Sequence, residues 1–349
     1  MKCSVLSRQI AQDTSRRFSE ILVHSGQHYD HGMSAAFFED LGIPEPLVNL
    51  DVRSSTQAEQ TGLIMVGLEK VISDEKPDLV LVYGDTNTTL AAAVVAAKFP
   101  IPITHVEAGL RSYRKGMSEE INRVVTDQLS DFLFCPSEVA KKNLQREGKV
   151  GNVFVTGDIM LDVFLETLEK VDHDLMLREF GLERHKFFLV TIHRAENVDC
   201  PVTLKAIMRS LDDLARCGLP VVLPLHPRTR KSIENLNLRF SNIRFMEPVN
   251  YPKMAMLVSN ARCVITDSGG LQKEAYFANT KCITLRDETE WIETLEGGHN
   301  TLVPPCKVET LVDLIQSDFQ HKKLNFPPIY GTGDSGRKTF EILAKLIDA

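Results

Sequence analysis

Short runs of apolar residues alternate with longer helix-type segments along the chain. The runs lack polar alternation, which is typical of parallel strands covered on both faces. The pattern predicts two series of strands. The first series is Ile21–His24, Leu79–Tyr83, Ile103–Val106, Phe132–Cys135 and Val153–Thr156. The second series is Phe187–Thr191, Val221–Leu225, Ile243–Met246, Cys263–Thr266 and Cys282–Leu285.

Two such series predict an α/β fold with two Rossmann-like, doubly wound domains facing a cleft. We place the break in the helix-like stretch Gly157–Lys170, which gives an N-terminal domain 1–160 and a C-terminal domain 161–334. The pattern leaves open whether the last helix, 335–349, packs back on the first domain. The chain opens with a helical pattern over Lys2–Arg17, and no strand precedes it. We therefore expect a gap in the first sheet, with unpaired backbone groups on the neighbouring strands.

Composition narrows the class of protein. The 349 residues include 40 Lys+Arg and 47 Asp+Glu, a net charge of −7, and 43% are hydrophobic. Disorder and general binding to nucleic acid or membrane surfaces are therefore disfavoured. No apolar run approaches the roughly 18 residues that a membrane span needs. The seven cysteines include no Cys-x-x-Cys pair, which disfavours metal cages and disulfide frameworks and favours reduced thiols in the cytoplasm.

Three carboxylates follow strands of the first series. Asp85 and Glu107 come directly after predicted strands, and Glu119 opens a helix that Ser118 is expected to cap. Because the carboxyl ends of parallel strands carry the ligands in open α/β sheets, we expect these acids to lie near one another. Like charges held together raise one another's pKa, which suits acid/base chemistry.

Structural alternatives exist for these acids. Asp85 or Thr86 can simply cap the next helix. Glu107 would be costly to bury unless it is paired, and His105 and Arg111 are the candidate partners. These structural readings remain open beside the catalytic one.

The second series carries groups suited to an anion. His193 and Arg194 follow a strand, and the segment Thr266–Gly270 joins a strand to a helix through two glycines. Such a turn presents backbone N–H groups and the positive end of the helix to a phosphate. A further polar cluster, Arg286–Glu290, follows the last strand, whereas the dinucleotide and P-loop fingerprints are absent from the sequence. The residues therefore indicate a ligand linked to a nucleotide.

The same residues closely resemble the non-hydrolysing UDP-N-acetylglucosamine 2-epimerase family. The resemblance spans nearly the whole chain and rests on Gly26–Asp30, Gly84–Thr88, His105–Ser112, Glu119–Arg123, Thr191–Asn197, Thr266–Gly270 and Leu285–Trp291. Gly26–Asp30, Phe37–Glu39 and Gln272–Phe277 look most like the branch that acts on UDP-2,3-diacetamido-glucuronate.

The resemblance implies a GT-B-like fold, a homodimer and a part in polysaccharide biosynthesis, without a metal, a nicotinamide or another cofactor. The implied reaction inverts C2 of a UDP-sugar, either UDP-GlcNAc or a UDP-diacetamido-uronate. The implied partner is this UDP-sugar, with no nucleic acid and no membrane. The catalytic residues would be Asp85, Glu107, Glu119, His193 and Lys2. The substrate-binding residues would be Arg111, Arg123, His193, Arg194, Ser268, Gly269, Gly270, Glu274 and Arg286.

Departures from the family pattern keep two other functions open. The family begins with a strand and a Gly-x-Arg-Pro turn, whereas this sequence starts at the Ile-Lys that follows them, with Lys2 matching the family's lysine. Ser118 stands where the family has proline. The alternatives are a truncated nucleotide-sugar binder without catalysis and a GT-B glycosyltransferase.

Overall fold

The computed structural model describes residues 1–26, 45–53, 56–236, 239–318 and 326–347. The chain divides into two compact units. Unit 1 is Met1–Val163 with Pro328–Ala349, and unit 2 is Phe164–Pro327. The sequence predictions for Gln27–Asp30 and Phe37–Glu39 lie outside the described residues. Within the described ranges, no helix is long and apolar enough to cross a membrane.

The described elements alternate between strands and helices, as in an α/β protein. The strands are β1 Val23–His24, β2 Val48–Asn49, β3 Val80–Tyr83, β4 Ile103–Val106, β5 Phe132–Cys135, β6 Val153–Val155, β7 Phe188–Thr191, β8 Val221–Pro224, β9 Ile243–Met246, β10 Cys263–Thr266, β11 Cys282–Thr284 and β12 Asn300–Leu302. The helices are α1 Lys2–Gln12, α2 Gln57–Glu75, α3 Asn87–Ala96, α4 Ser118–Leu129, α5 Glu138–Arg146, α6 Ile159–Glu169, α7 His173–Glu179, α8 Ala195–Val198, α9 Pro201–Arg216, α10 Pro227–Asn235, α11 Tyr251–Asn260, α12 Gly269–Phe277, α13 Leu311–Asp318 and α14 Ser335–Ile347. Two 3₁₀ segments, Ile292–Gly298 and Pro305–Thr310, complete the set.

The strands of unit 1 form two separate parallel sheets. One has the order β3-β4-β5-β6, and the other pairs β1 with β2. Among the described residues, β1 pairs only with β2 and β3 only with β4, so each keeps one open edge. Val23 of β1 and Val82 of β3 nevertheless pack in one apolar cluster with Ile64 of α2. The two sheets therefore share one core, although no strand pairing joins them among the described residues.

The chain's last helix belongs to unit 1. The Asp162 carboxylate accepts hydrogen bonds from the backbone N–H groups of Ser335 at 3.1 Å and Gly336 at 2.8 Å, at the start of α14. These bonds satisfy donors that a helix start leaves unpaired. A Cβ on Gly336 would collide with Val5 of α1, so glycine lets the two helices approach closely.

Unit 2 is built on one parallel sheet with the order β12-β11-β10-β7-β8-β9. Its central strands β7, β8 and β10 are almost fully buried because helices cover both faces. Leu204 and Leu211 of α9 pack in the cluster on one face, and Met256 of α11 packs in the cluster on the other. The predicted α/β class with parallel sheets is confirmed.

Three element predictions need correction. β2 and β12 were not predicted, because they have only two and three residues and contain asparagine. The first helix ends at Gln12 and not at Arg17. There the Asp13 carboxylate accepts the backbone N–H groups of Ser15 at 3.2 Å and Arg17 at 3.0 Å, which offers the chain a turn in place of helix.

Candidate active site

Glu107 occupies a strained position at the end of β4. Its backbone adopts φ 74°, a left-handed conformation that costs a non-glycine residue on the order of 1–3 kcal/mol. Its carboxylate is 7% exposed and forms an ion pair with the Lys2 ammonium at the start of α1. A Cβ on Gly84 would lie 2.6 Å from Lys2 Nζ and 3.3 Å from Glu107 Oε2. Glycine at position 84 therefore leaves room for this ion pair.

Asp85 is held by α4. The Arg123 guanidinium forms an ion pair with the Asp85 carboxylate, and Asn122 Nδ2 donates to the Asp85 carbonyl at 2.8 Å. The helix that follows β3 is capped by Thr86, whose Oγ1 accepts from Thr89 N at 3.4 Å. The capping alternative therefore applies to Thr86, and the Asp85 carboxylate serves a different contact.

The two neighbouring glutamates of α4 have different surroundings. Glu120 is buried and accepts hydrogen bonds from Ser112 N at 2.8 Å, Ser112 Oγ at 2.9 Å and Tyr113 N at 2.9 Å. Glu119 is exposed, one helical turn before Arg123 and thus on the same face of α4. Glu120 therefore holds a loop, and Glu119 remains the candidate for chemistry. The expected Ser118 cap is wrong, because α4 begins at Ser118 and its cap residue is Met117.

His105 and Arg111, the two candidate partners of Glu107, both bind other groups. The Arg111 guanidinium binds the Asp127 carboxylate at 2.7 Å and both oxygens of Glu147 at 2.8 and 2.6 Å. Burial alone lowers the pKa of Arg111, but these hydrogen bonds and charges outweigh it and raise the pKa. Arg111 is thus enclosed by the carboxylates of Asp127 and Glu147. Lys2, and not Arg111, forms the ion pair with Glu107.

Unit 2 presents its glycine-containing turn between β10 and α12. Ser268 caps α12 by accepting from Leu271 N at 3.5 Å. A Cβ on Gly269 would collide with the Glu290 carboxylate, whereas one on Gly270 would meet only Ser268 Oγ at 4.0 Å. The first turn of a helix leaves N–H groups without intrahelical partners, so this turn can present donors to an anion.

Cationic side chains gather beside this turn. Arg286 Nη1 donates to Glu290 Oε2 at 2.9 Å in a buried ion pair. Burial raises the pKa of Glu290, but the charges of Arg286 and Arg194 outweigh burial and hold the pKa below its usual value. Both arginines therefore act on the carboxylate that lies against Gly269. Glu274 is half-buried on the same helix, one turn beyond Gly270.

Asp267 orients His193. Its carboxylate contacts His193 Nδ1 at 3.1 Å and accepts from Asn197 Nδ2 and the backbone N–H of Arg194, each at 3.0 Å. Burial raises the pKa of Asp267, but these hydrogen bonds outweigh it and lower the pKa. The ring therefore donates from Nδ1 and directs Nε2 away from Asp267, with 41% of the side chain exposed. Such a ring can contact an anion.

Asp127 and His226 were not predicted from the sequence. Asp267 and Glu290 lie within segments that the sequence analysis singled out, but without a role of their own. His226 follows β8, and its ring centroid lies 5.8 Å from that of His193. Burial lowers the pKa of His226, and the charges of His193 and Arg228 add to this effect. The position of His226 just after the apolar run of β8 could have identified it as a candidate site residue from the sequence alone. Within the described ranges, no group of three or more His, Cys, Asp or Glu side chains could hold a metal ion.

A protein-family comparison decides the identity. The family model for UDP-N-acetylglucosamine 2-epimerase matches residues 10–344, which is nearly the whole chain. The chain belongs to the UDP-N-acetylglucosamine 2-epimerase family. Membership favours an epimerase over a glycosyltransferase.

Individual relatives agree with this 2-epimerase assignment. UDP-2,3-diacetamido-2,3-dideoxy-D-glucuronate 2-epimerase of Pseudomonas aeruginosa is 44% identical over 99% of this chain and 96% of its own. The Methanocaldococcus jannaschii UDP-GlcNAc 2-epimerase, solved with UDP-GlcNAc and UDP, is 41% identical with a TM-score of 0.86, over 99% of this chain and 96% of its own. The Neisseria meningitidis enzyme bound to UDP-GlcNAc is 30% identical with a TM-score of 0.88 over the same shares.

Proposed function

We propose that this 2-epimerase inverts C2 of a UDP-sugar by eliminating UDP and adding it back. The observation that carries the proposal is that unit 1 contains the candidate acid/base carboxylates and unit 2 contains the groups suited to a diphosphate. Unit 1 places Glu107 and Asp85, each beside a cation, at neighbouring strand ends. Unit 2 offers the Ser268–Gly270 turn, with His193 exposed for contact with an anion.

The reaction needs both sets of groups. The C2 proton is weakly acidic, so its removal requires a base while the C1–O bond breaks and UDP departs. The product of this half-reaction is a 2-acetamidoglycal. Return of UDP to C1 then accompanies delivery of a proton to the opposite face of C2. Acid/base groups and stabilisation of the departing diphosphate each lower the barrier.

The residues fit these roles as follows. Asp85, Glu107 and Glu119 are the acid/base candidates, and Lys2 sets the charge beside Glu107. His193 contacts the diphosphate, and the Ser268–Gly270 backbone cradles it. Glu274 binds the ribose hydroxyls. The remaining arginines proposed to bind substrate are Arg123, Arg194 and Arg286, while the buried network around Arg111 makes it an indirect contributor.

The proposed sugar is UDP-2,3-diacetamido-glucuronate or UDP-GlcNAc. The Pseudomonas relative bears the first name, and the two structural relatives were solved with the second sugar. Incubation of the protein with each sugar in D₂O, followed by proton NMR of the C2 position, tests the proposal. We expect loss of the C2–H signal without any acceptor. If neither sugar exchanges its C2 proton, the proposed activity on these substrates is wrong.

One observation favours a second candidate, a nucleotide-sugar binder without catalysis. The open edges of β1 and β3 leave the sheet of unit 1 divided among the described residues. This candidate predicts UDP binding in calorimetry with no exchange at C2.

A homodimer in the cytoplasm is part of the proposal. Leu63 and Val66, one turn apart on α2, are 51% and 68% exposed, which suits a helix face that a second copy covers. Light scattering should give twice the chain mass, and Val66→Asp should return the mass to that of one chain. The cytoplasm is proposed because the sequence contains no Cys-x-x-Cys pair among its seven cysteines, a usage that suits a reducing compartment.

A further inference from the structure

His105 lies at the centre of a buried network in unit 1. The residue belongs to β4, and its side chain is fully buried. Ring atom Nε2 lies 2.8 Å from the carbonyl oxygen of Gly84, and Nδ1 lies 2.7 Å from Asp127 Oδ1. An ionised carboxylate accepts, so Nδ1 donates to Asp127. The ring thereby connects the turn after β3 with helix α4.

Asp127 connects this ring to the loop that follows β4. Its Oδ2 accepts from the backbone N–H of Gly109 at 3.1 Å and from Arg111 Nη1 at 2.7 Å. Arg111 in turn binds Glu147, so the network runs from the His105 ring through Asp127 and Arg111 to Glu147. Such a buried network is rigid when its members are all hydrogen-bonded.

Glu107 lies in the chain between His105 and Gly109, both of which Asp127 contacts. His105 precedes Glu107 by two positions, and Gly109 follows it by two. The backbone N–H groups of Glu107 and Ala108 both donate to the carbonyl oxygen of Phe134 at 3.0 Å. A left-handed backbone at Glu107 persists only where neighbouring contacts impose it, and these are such contacts.

The geometry points to His105 and Asp127 as positioning residues that aim the Glu107 carboxylate and the Gly84–Asp85 turn at the reacting sugar. Neither side chain touches substrate in this arrangement, because both are fully buried. The inference rests on the proposed function, since it assigns their effect to the acid/base step at C2.

Two single variants test the inference. Asp127→Asn places an amide among groups that all donate, and His105→Gln removes the ring that spans from Gly84 to Asp127. We expect each to lower kcat for C2 exchange about 100-fold, the loss typical of a reacting group displaced by about 1 Å. KM for the UDP-sugar should change by less than about threefold, because the binding groups of unit 2 are untouched. A KM effect larger than the kcat effect would overturn the inference.

Asp162→Asn is the matched control. Asp162 is also a buried carboxylate of unit 1 that accepts two backbone N–H groups, but it holds the start of α14. We expect this variant to lower the unfolding temperature and to leave kcat unchanged once the activity is divided by the number of UDP sites counted in calorimetry. If the control loses as much kcat as Asp127→Asn does, the loss in Asp127→Asn is explained by general destabilisation. That result would overturn the inference.

A double-mutant cycle separates positioning from support of the fold. If His105 acts through Glu107, His105→Gln should cost much less when Glu107 already carries the shorter side chain of Glu107→Asp. Independent losses that multiply would contradict the inference.

The unmodified protein distinguishes this inference from the function on which it rests. If it exchanges the C2 proton of neither UDP-GlcNAc nor UDP-2,3-diacetamido-glucuronate, the proposed function fails and the positioning inference fails with it. If it exchanges the proton and the cycle is multiplicative, only the positioning inference fails.

Discussion

Two carboxylates lie at strand ends of parallel sheets and have opposite surroundings. Glu107 of unit 1 forms an ion pair with Lys2 on a strained backbone. Asp267 of unit 2 is fully buried and accepts from the backbone N–H groups of His193 and Arg194 and from the Asn197 amide. An acid that accepts from several fixed backbone and amide donors stabilises its loop as a carboxylate. Glu107 instead lies beside a cation on a left-handed backbone, and we expect it to react where Asp267 supports the fold.

The largest effect should come from Glu107→Gln, which keeps the size of the side chain and removes its acid/base capacity. We expect kcat for C2 exchange to fall about 1,000-fold, within the range found for general acid–base groups. UDP affinity should stay within about twofold, since the groups proposed to bind the nucleotide lie in unit 2. Deuterium exchange and calorimetry measure the two quantities. Glu75→Gln, at the exposed end of α2, is the control, and equal losses in both variants would contradict the comparison.

Asp267→Asn should act in the opposite way, on stability and on UDP binding. The amide cannot accept from all the donors that surround Asp267, and a buried donor left without a partner costs about 1–3 kcal/mol. We expect urea unfolding to show a loss of about 2 kcal/mol, from the same principle, and KM to rise more than kcat falls. Asp199→Asn, at an exposed ion pair with Arg228, should change little. A kcat loss as large as that of Glu107→Gln would make Asp267 a reacting group.

The sequence pattern was sufficient for the strand ends but not for the partners found there. The apolar runs of β4 and β10 place Glu107 and Asp267 at the carboxyl edge, because buried parallel strands read as continuous apolar segments. The partner of Glu107 was not predictable in the same way. Arg111 is four residues away and Lys2 is 105 positions away, yet Lys2 forms the ion pair. The choice depends on where α1 packs, which no local pattern encodes.

Gly269→Ala should have a smaller effect than either acid. A Cβ at position 269 collides with the Glu290 carboxylate, so Glu290 or the turn must shift. We expect UDP affinity to weaken about tenfold, which corresponds to about 1.4 kcal/mol. Calorimetry with UDP measures it. Gly151→Ala is the control, because a Cβ there meets nothing within 4 Å and its backbone is not left-handed. Unchanged affinity in Gly269→Ala would mean that the turn does not contact the nucleotide.

The smallest effect concerns acid stability and follows from the lowered pKa of Asp267. Its folded-state pKa lies below the unfolded value, so its stabilising contribution is complete above the unfolded pKa and is lost as the pH falls through the folded pKa. The free energy of unfolding should therefore decrease as the pH falls below about 5. Asp267→Asn lacks this group and should lose less stability than the unmodified protein between pH 5 and pH 3.5, as measured by urea titrations at both values.

Asp127 and Glu290, whose pKa values are also lowered, continue to contribute acid sensitivity in the variant. Only part of one group's contribution is lost over this interval. The two proteins should therefore differ in the stability they lose between these pH values by less than Asp267→Asn costs at neutral pH. Equal slopes in the two proteins would show that Asp267 does not hold its charge more tightly in the folded state, and the contrast with Glu107 would then rest on geometry alone.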